Sequence, residues 1–329
     1  MKQAQFEQKY QERWQGFERL IQDLEKRKNK RQISTDNHYD FPKIYRDICS
    51  HYAIARQRYY SPVLIRRLHA LVLAGQVQLY RHQTIWLWKV FEFVLATFPQ
   101  MFRKHIKVFW LATALFYGPA VAMGLACYMD SQYMYSVMDR WQVAEMEYMY
   151  DPENKNIGRK EEREADTDFM MFGYYIFNNV SIGFRTFASG ILLGIGTLFI
   201  LFYNGIVIGG VAGYLTQLGY TETFWPFVSG HGSFELTAIV ISGMAGLILA
   251  RPIFAPGNMT RINALKRAAQ DSIQLMIGAA LMLFIAAFIE AFWSSSTSVP
   301  ISVKLGVAAV LWAGVTLYLS LAGRTRSEH

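Results

Sequence analysis

Residues 186–221 read TFASGILLGIGTLFILFYNGIVIGGVAGYLTQLGYT, 36 residues without a charged side chain. As one helix at 1.5 Å per residue the segment would measure about 54 Å, nearly twice the hydrocarbon thickness of a bilayer. It must therefore break, and Asn204-Gly205 at its middle is the strongest breaker present. The expectation is two short spans, 186–203 and 206–221, folded as a tight helical hairpin. A re-entrant second arm is the alternative, because each arm is near the minimum length. Gly190, Gly194, Gly205, Gly209 and Gly213 give small-xxx-small repeats at 190/194, 205/209 and 209/213. In lipid such repeats let helix backbones approach closely, or form an oligomer face.

Working outward, 108–129 is an unambiguous first span, and 236–250, 272–293 and 303–322 complete six. Arg103, Lys104 and Lys107 precede the first span, while Arg251, Arg261, Lys266 and Arg267 lie between the fourth and fifth. Arg324 and Arg326 follow the sixth. The positive-inside rule then puts both termini in the cytoplasm and residues 130–181 outside.

Charge is sorted along the chain to match. Residues 1–107 carry 20 Lys/Arg against 9 Asp/Glu, residues 130–181 carry 5 against 11, and residues 182–329 carry 8 against 5. With 52% hydrophobic and 18% charged residues, a disordered chain is excluded. The fold class expected is all-α: a polytopic helical membrane protein of about six spans with an N-terminal cytoplasmic helical bundle. Its parts are a basic head (1–107), a first span (108–129), an acidic outer loop (130–181) and a five-span domain (182–329).

Within the head, Phe6, Tyr10, Trp14, Phe17, Ile21 and Leu24 mark one face of an amphipathic helix that Lys26–Arg31 terminates. A second helix is expected over about 41–59, and a third from Ser61-Pro62, with proline at its first position. Residues 85–98, aromatic and stopped by Pro99, read as an interfacial helix. The head's excess of positive charge points to anionic lipid headgroups, at about 1 kcal/mol per basic residue near the surface, and not to nucleic acid. Met134, Met138, Met146 and Met149 in the outer loop read as helix packing against the membrane surface. Cys49 and Cys127 build neither a disulfide framework nor a zinc spacing.

The candidate site is a polar cluster placed at the outer membrane face: Asn178, Asn179 and Arg185 before the second span, His231 and Glu235 at the fourth. Four-residue spacing puts His231 and Glu235 on one side of a helix. An ionisable group at membrane depth is a functional-site hypothesis by default. The structural alternative pairs Glu235 with Arg185 or His231. His-Gly-x-x-Glu resembles a zincin motif only superficially, since the second histidine is lacking. Neither a catalytic residue, a metal nor a cofactor is expected. Asp271 and Glu290, near opposite ends of span five, read as snorkelling side chains.

The chain resembles the stage II sporulation protein M family of bacterial membrane proteins. In the head the resembling pieces are Trp14 with Phe17-Glu18-Arg19-Leu20, Ile44-Tyr45-Arg46 through Ala55-Arg56, Arg67-Leu68-His69-Ala70-Leu71 and Leu79-Tyr80. Phe98-Pro99 with Phe102-Arg103 is similar to the family's entry to the first span. Asn178-Asn179, Gly190 to Gly196-Thr197, Asn204-Gly205 and Gly209 are similar to its central motif, and His231-Gly232 with Glu235 to its His-Gly-x-x-Glu element. The resemblance implies a protein of the bacterial cytoplasmic (inner) membrane. The namesake members, in spore formers, anchor peptidoglycan-degrading partners during engulfment, and many relatives occur in bacteria that never sporulate. The resulting expectation is a non-enzymatic scaffold with cytoplasmic and envelope protein partners, able to self-associate. The alternative is a transporter or channel-like protein using the glycine-rich hairpin and the His231/Glu235 face.

Overall fold

The computed structural model describes residues 1–27, 41–153, 165–296 and 298–324, apart from the side chains of 24–27, 80–86 and 165–166. The expected helix stop after Arg27, the middle of the acidic run (154–164) and Arg326 lie outside the described residues. The chain divides into two compact units, residues 1–92 and 93–329.

The described residues of the first unit form three helices: α1 (Gln3–Arg27), α2 (Phe41–Gln57) and α3 (Pro62–Glu92). They share one apolar core. Phe6, Trp14, Phe17 and Ile21 of α1 meet Phe41, Ile48 and Ala55 of α2 and Leu64, Leu68 and Leu71 of α3. From Phe6 to Ile21 the expected stripe on α1 is thus the face packed into this core; the Leu24 side chain lies outside those described. Inside this core Trp14 Nε1 donates to His51 Nδ1 at 3.1 Å, so His51 is held as an acceptor. Burial pushes the His51 pKa down; Asp47 opposes that shift and Arg13 adds to it. The Gln3 amide clamps both the hydroxyl and the backbone N–H of Ser61, tying the start of α1 to the turn before α3.

Residues 85–92, expected to begin a separate interfacial helix, instead continue α3. A π-helical turn (Phe93–Thr97) follows, and Pro99 opens α4 (Phe98–Lys104) where its missing N–H costs nothing. Residues 93–107, expected in the head, pack within the second unit. Phe98 lies against Gly278 so closely that a side chain there would overlap the ring. Arg103 Nη1 donates to the Leu319 carbonyl at 3.0 Å. Lys104 Nζ and His105 Nε2 both meet Asp271 Oδ2, at 2.6 and 2.9 Å, so Asp271 is engaged by partners and does not snorkel.

The second unit continues with α5 (Ile106–Met129), α6 (Arg140–Tyr150), α7 (Ala165–Ala188), α8 (Ile195–Gln217), α9 (Thr221–Phe254), α10 (Arg261–Phe288) and α11 (Ile301–Leu321). Among the described residues there is no strand. Five helices among the described residues are long and apolar enough to cross a membrane: α5, α8, α9, α10 with the π-helical turn that extends it (Ile289–Ser294), and α11. With this content the chain is an all-α membrane protein.

The hairpin expected at Asn204-Gly205 is corrected: α8 runs straight through both residues. A helix in lipid cannot surrender backbone hydrogen bonds to water, so a weak local breaker is overridden. Asn204 also spends its amide on its own helix, Nδ2 donating to the Ile200 carbonyl at 2.8 Å. The chain turns earlier, where Leu193 and Gly194 both have positive φ (56° and 76°). Residues 165–181, expected as loop, belong to α7. This helix packs on α9 and α10, with Gly183 facing Ser242 and Leu283. Gly190, just past the end of α7, presses on the Gly246 backbone.

The glycines of α8 serve a seam with α5. Gly205 faces the Phe116 carbonyl, Gly209 that of Ala120 and Gly213 that of Gly124, each too close for a side chain. Both partners advance by four residues together, so α5 and α8 are parallel neighbours. At the ends of these helices Cys127, Met134, Val143, Met146, Tyr214, Leu215 and Phe224 form a separate core. Met134, Met138, Met146 and Met149 therefore pack onto helix ends, and not along the bilayer surface.

Candidate functional site: a buried histidine–carboxylate cluster

Helix α9 is the most enclosed of the spanning helices, touching α5, α7, α8, α10 and α11. It continues unbroken through Gly230-His231-Gly232, again because its backbone bonds have no competing partner in lipid. The four-residue spacing therefore holds, and His231 Nε2 stands 3.8 Å from Glu235 Oε2. The other imidazole nitrogen, Nδ1, pairs with Ser294 Oγ at 3.0 Å.

Ser294 ends the π-helical turn that extends α10. Such a turn widens the helix by one residue and re-aims the side chains it carries, and π-turns recur at functional sites. Here it brings Glu290 to the same place. Donor atoms of His231, Glu235 and Glu290 all lie within 4.8 Å of one another. Glu290, expected to snorkel, turns inward, and its Oε2 is buried without a hydrogen-bond partner. Asn179 comes from α7 and lies against the Glu290 carboxylate, yet its buried Nδ2 closes no hydrogen bond. Lys304 of α11 reaches the same turn, Nζ donating to the Ser294 carbonyl at 2.7 Å.

The cluster is roofed by aromatic side chains. Phe227 stands edge-on to the imidazole with ring centroids 5.5 Å apart, and Tyr150 stands edge-on to Phe227 at 5.7 Å. Tyr150 ends α6, and its carbonyl accepts from Thr223 Oγ1 at 2.5 Å. Burial raises the Tyr150 phenol, and Glu290, Tyr175 and Glu235 raise it further. The 130–153 segment thus supplies a lid to the cluster.

Of the residues expected in the site, the structure assembles Asn179, His231 and Glu235. Asn178 is exposed at the rim and donates to Asn179 Oδ1 at 3.2 Å. Arg185 is corrected out of the cluster. It lies near the C-terminal end of α7, exposed, beyond the point where Gly183 meets Ser242. The expectation failed because it took α7 for loop, which compressed Asn178 and Arg185 to one depth. Glu290, Ser294, Lys304 and Tyr150 were missed. A carboxylate inside the expected 272–293 span was the available signal for Glu290, since ionisable side chains within spanning segments are rare and mostly face the protein interior. Chemically, an imidazole nitrogen and two carboxylates at this separation can share a proton or embrace a cation.

Two further cavities in this unit, of about 340 and 240 Å3, are lined mainly by apolar side chains of α9, α10 and α11 together with residues 93–117. None of the three cluster residues lines either cavity.

These features define a class: a polytopic helical integral membrane protein with a buried polar centre. More particularly, the chain belongs to the stage II sporulation protein M family, whose model matches residues 92–295. The match covers the α4–α10 core and the whole cluster. The head pieces of the resemblance fall elsewhere, since residues 4–81 match a separate domain of unknown function (DUF8413). No curated protein and no solved structure matches the chain.

Proposed function

We propose that this is a six-span protein of the bacterial cytoplasmic membrane, with both termini in the cytoplasm, acting as a non-enzymatic scaffold. In this reading α7 is the sixth crossing. Support comes from the packing directions: α5 and α8 run one way, α7 and α9 the other, as alternate crossings require. Arg103, Lys104, Arg251, Arg261 and Arg324 fall at one end of this arrangement, as the positive-inside rule asks. The basic three-helix unit faces anionic lipid and cytoplasmic protein partners. The lid segment faces envelope partners; a second copy would have to use another face, because Gly190, Gly205, Gly209 and Gly213 are already engaged within the chain.

The observation that carries the scaffold reading is the closure of the polar centre. His231 is 5% exposed, beneath Phe227 and Tyr150, as a packed interior is and a conduction path is not. One observation favours the transport reading: two carboxylates facing each other inside a helical membrane unit are a common ion-coupling device.

The test uses the full chain in two settings. In proteoliposomes loaded with a pH-sensitive dye, imposed proton and potassium gradients should decay no faster than in empty vesicles. In cells, a photocrosslinker at exposed Val63 or Val77 of α3 should give discrete protein adducts. Gradient decay that disappears in Glu235→Leu, with crosslinks confined to lipid, would replace the scaffold by a transporter.

A further inference from the structure

Beyond a scaffold role, we propose that His231, Glu235 and Glu290 form a binding site for one divalent transition-metal ion of the zinc class. Three observations converge on it. The first is the donor set. One imidazole nitrogen and two carboxylates, from two different helices, lie within 4.8 Å of one another. Imidazole and carboxylate oxygen are the ordinary non-thiol ligands of Zn2+, at about 2.0–2.2 Å. Tetrahedral geometry at those lengths sets donor atoms about 3.4 Å apart. His231 Nε2 and Glu235 Oε2, at 3.8 Å, need to close by only about 0.4 Å, within the reach of side-chain rotation.

The second is the state of the histidine. A metal-ligating imidazole commonly commits its other nitrogen to an oxygen partner, which fixes the ring and its tautomer. His231 Nδ1 is so committed, to Ser294 Oγ at 3.0 Å. That leaves Nε2 as the nitrogen presented to the two carboxylates.

The third is the state of the polar atoms at Glu290, one of which, on Asn179, lies outside the donor set. Glu290 Oε2 is buried with no hydrogen-bond partner, and so is the amide Nδ2 of Asn179, a residue 2% exposed that lies against the same carboxylate. Buried polar atoms are rarely left unmatched, and those that are call for an ion, a water or a ligand. A dication between the carboxylates supplies a partner for Glu290 Oε2. Water on its remaining coordination position would accept from Asn179 Nδ2. The missing second histidine of the zincin pattern is thereby replaced: the third ligand arrives from α10 and not from α9.

Full-length protein in detergent, stripped with a chelator, is titrated with Zn2+ and separately with Co2+ as a spectroscopic probe. One equivalent per chain is expected, with a visible Co2+ absorption of low-symmetry N/O coordination and a raised melting temperature on Zn2+ addition. Glu235→Gln and Glu290→Gln should each weaken binding at least tenfold, and Glu222→Gln, an acid at the start of the same helix, should change nothing. If Glu290→Gln does not give monodisperse protein, His231→Gln carries the same expectation. The proposal is overturned if monodisperse wild type takes up no stoichiometric metal. Unchanged affinity in Glu235→Gln or His231→Gln overturns it equally, because the metal then sits elsewhere.

Discussion

His231 and Ser294 meet at 3.0 Å across the α9–α10 interface, and through that contact the π-helical turn holds the imidazole in place. The bond lies in the protein interior, where a hydrogen bond is worth about 0.5–1.5 kcal/mol net and an orphaned partner costs about 1–3 kcal/mol. Ser294→Ala should therefore destabilise the full chain by about 1–2 kcal/mol. Ser295→Ala, which removes a hydroxyl bonded one turn back to Ala291, should cost less. Thermal melting in detergent decides it: equal shifts for the two variants would mean that the histidine is held by other contacts.

The α5–α8 seam makes a sharper prediction. Gly209→Leu puts a side chain where the Ala120 carbonyl already stands, whereas Gly118 on α5 has open space around its Cα. Overpacking typically costs about 1–3 kcal/mol, and here the obstacle is backbone, which cannot rotate away. Gly209→Leu should lose monodispersity or at least about 3 kcal/mol of stability, and Gly118→Leu should stay within about 0.5 kcal/mol of wild type. Size-exclusion profiles and melting curves compare them directly.

A pH dependence follows in the first unit. His51 accepts from Trp14 and has its pKa lowered by burial from 6.5, so the fold favours the neutral ring. The stabilisation is complete above about pH 6.5, where the unfolded ring is also neutral. It is lost as pH falls from there toward the lower folded value, by at most about 1.4 kcal/mol per pH unit. Hydrogen exchange in α1 and α2 of the full chain should accelerate between pH 6.5 and 5, and His51→Gln should flatten that response. A wild-type profile that is level across the window would contradict it.

Orientation is tested with single cysteines after Cys49 and Cys127 are replaced by serine. Glu153→Cys should react with an impermeant maleimide in intact spheroplasts, and Lys2→Cys only after permeabilisation. The reverse pattern would invert the topology. Reaction of both in intact spheroplasts would remove α5 as the crossing between them.

Much of this architecture was legible in advance, for reasons that particular residues make clear. The α1 stripe and the Pro62 helix start rest on periodicity and on proline geometry, which act locally. The pairing of His231 with Glu235 needed only helical spacing. Asn204-Gly205 misled because turn propensities are calibrated in water, where a freed carbonyl finds a donor. α7 was missed because Asn178, Asn179 and Arg185 dilute its hydropathy, although its contacts bury it beside α9 and α10. Glu290 escaped because a π-turn shifts side-chain direction by about one residue's worth of rotation, which no 3.6-residue periodicity reports.

The parallel arrangement of α5 and α8 also fixes a delay. Parallel neighbours cannot be joined by a tight turn, so residues 130–188, α7 among them, must be made between them. Gly205 leaves the ribosome about 90 residues after its contact at Phe116, which at roughly 5–20 residues per second is about 4–18 s. For that interval α5 waits with its docking face unfilled, while α7, synthesised first, must bypass it and await α9. Assembly of the membrane unit therefore proceeds out of chain order, and a nascent chain stalled before residue 205 would expose a groove shaped for a glycine-faced helix.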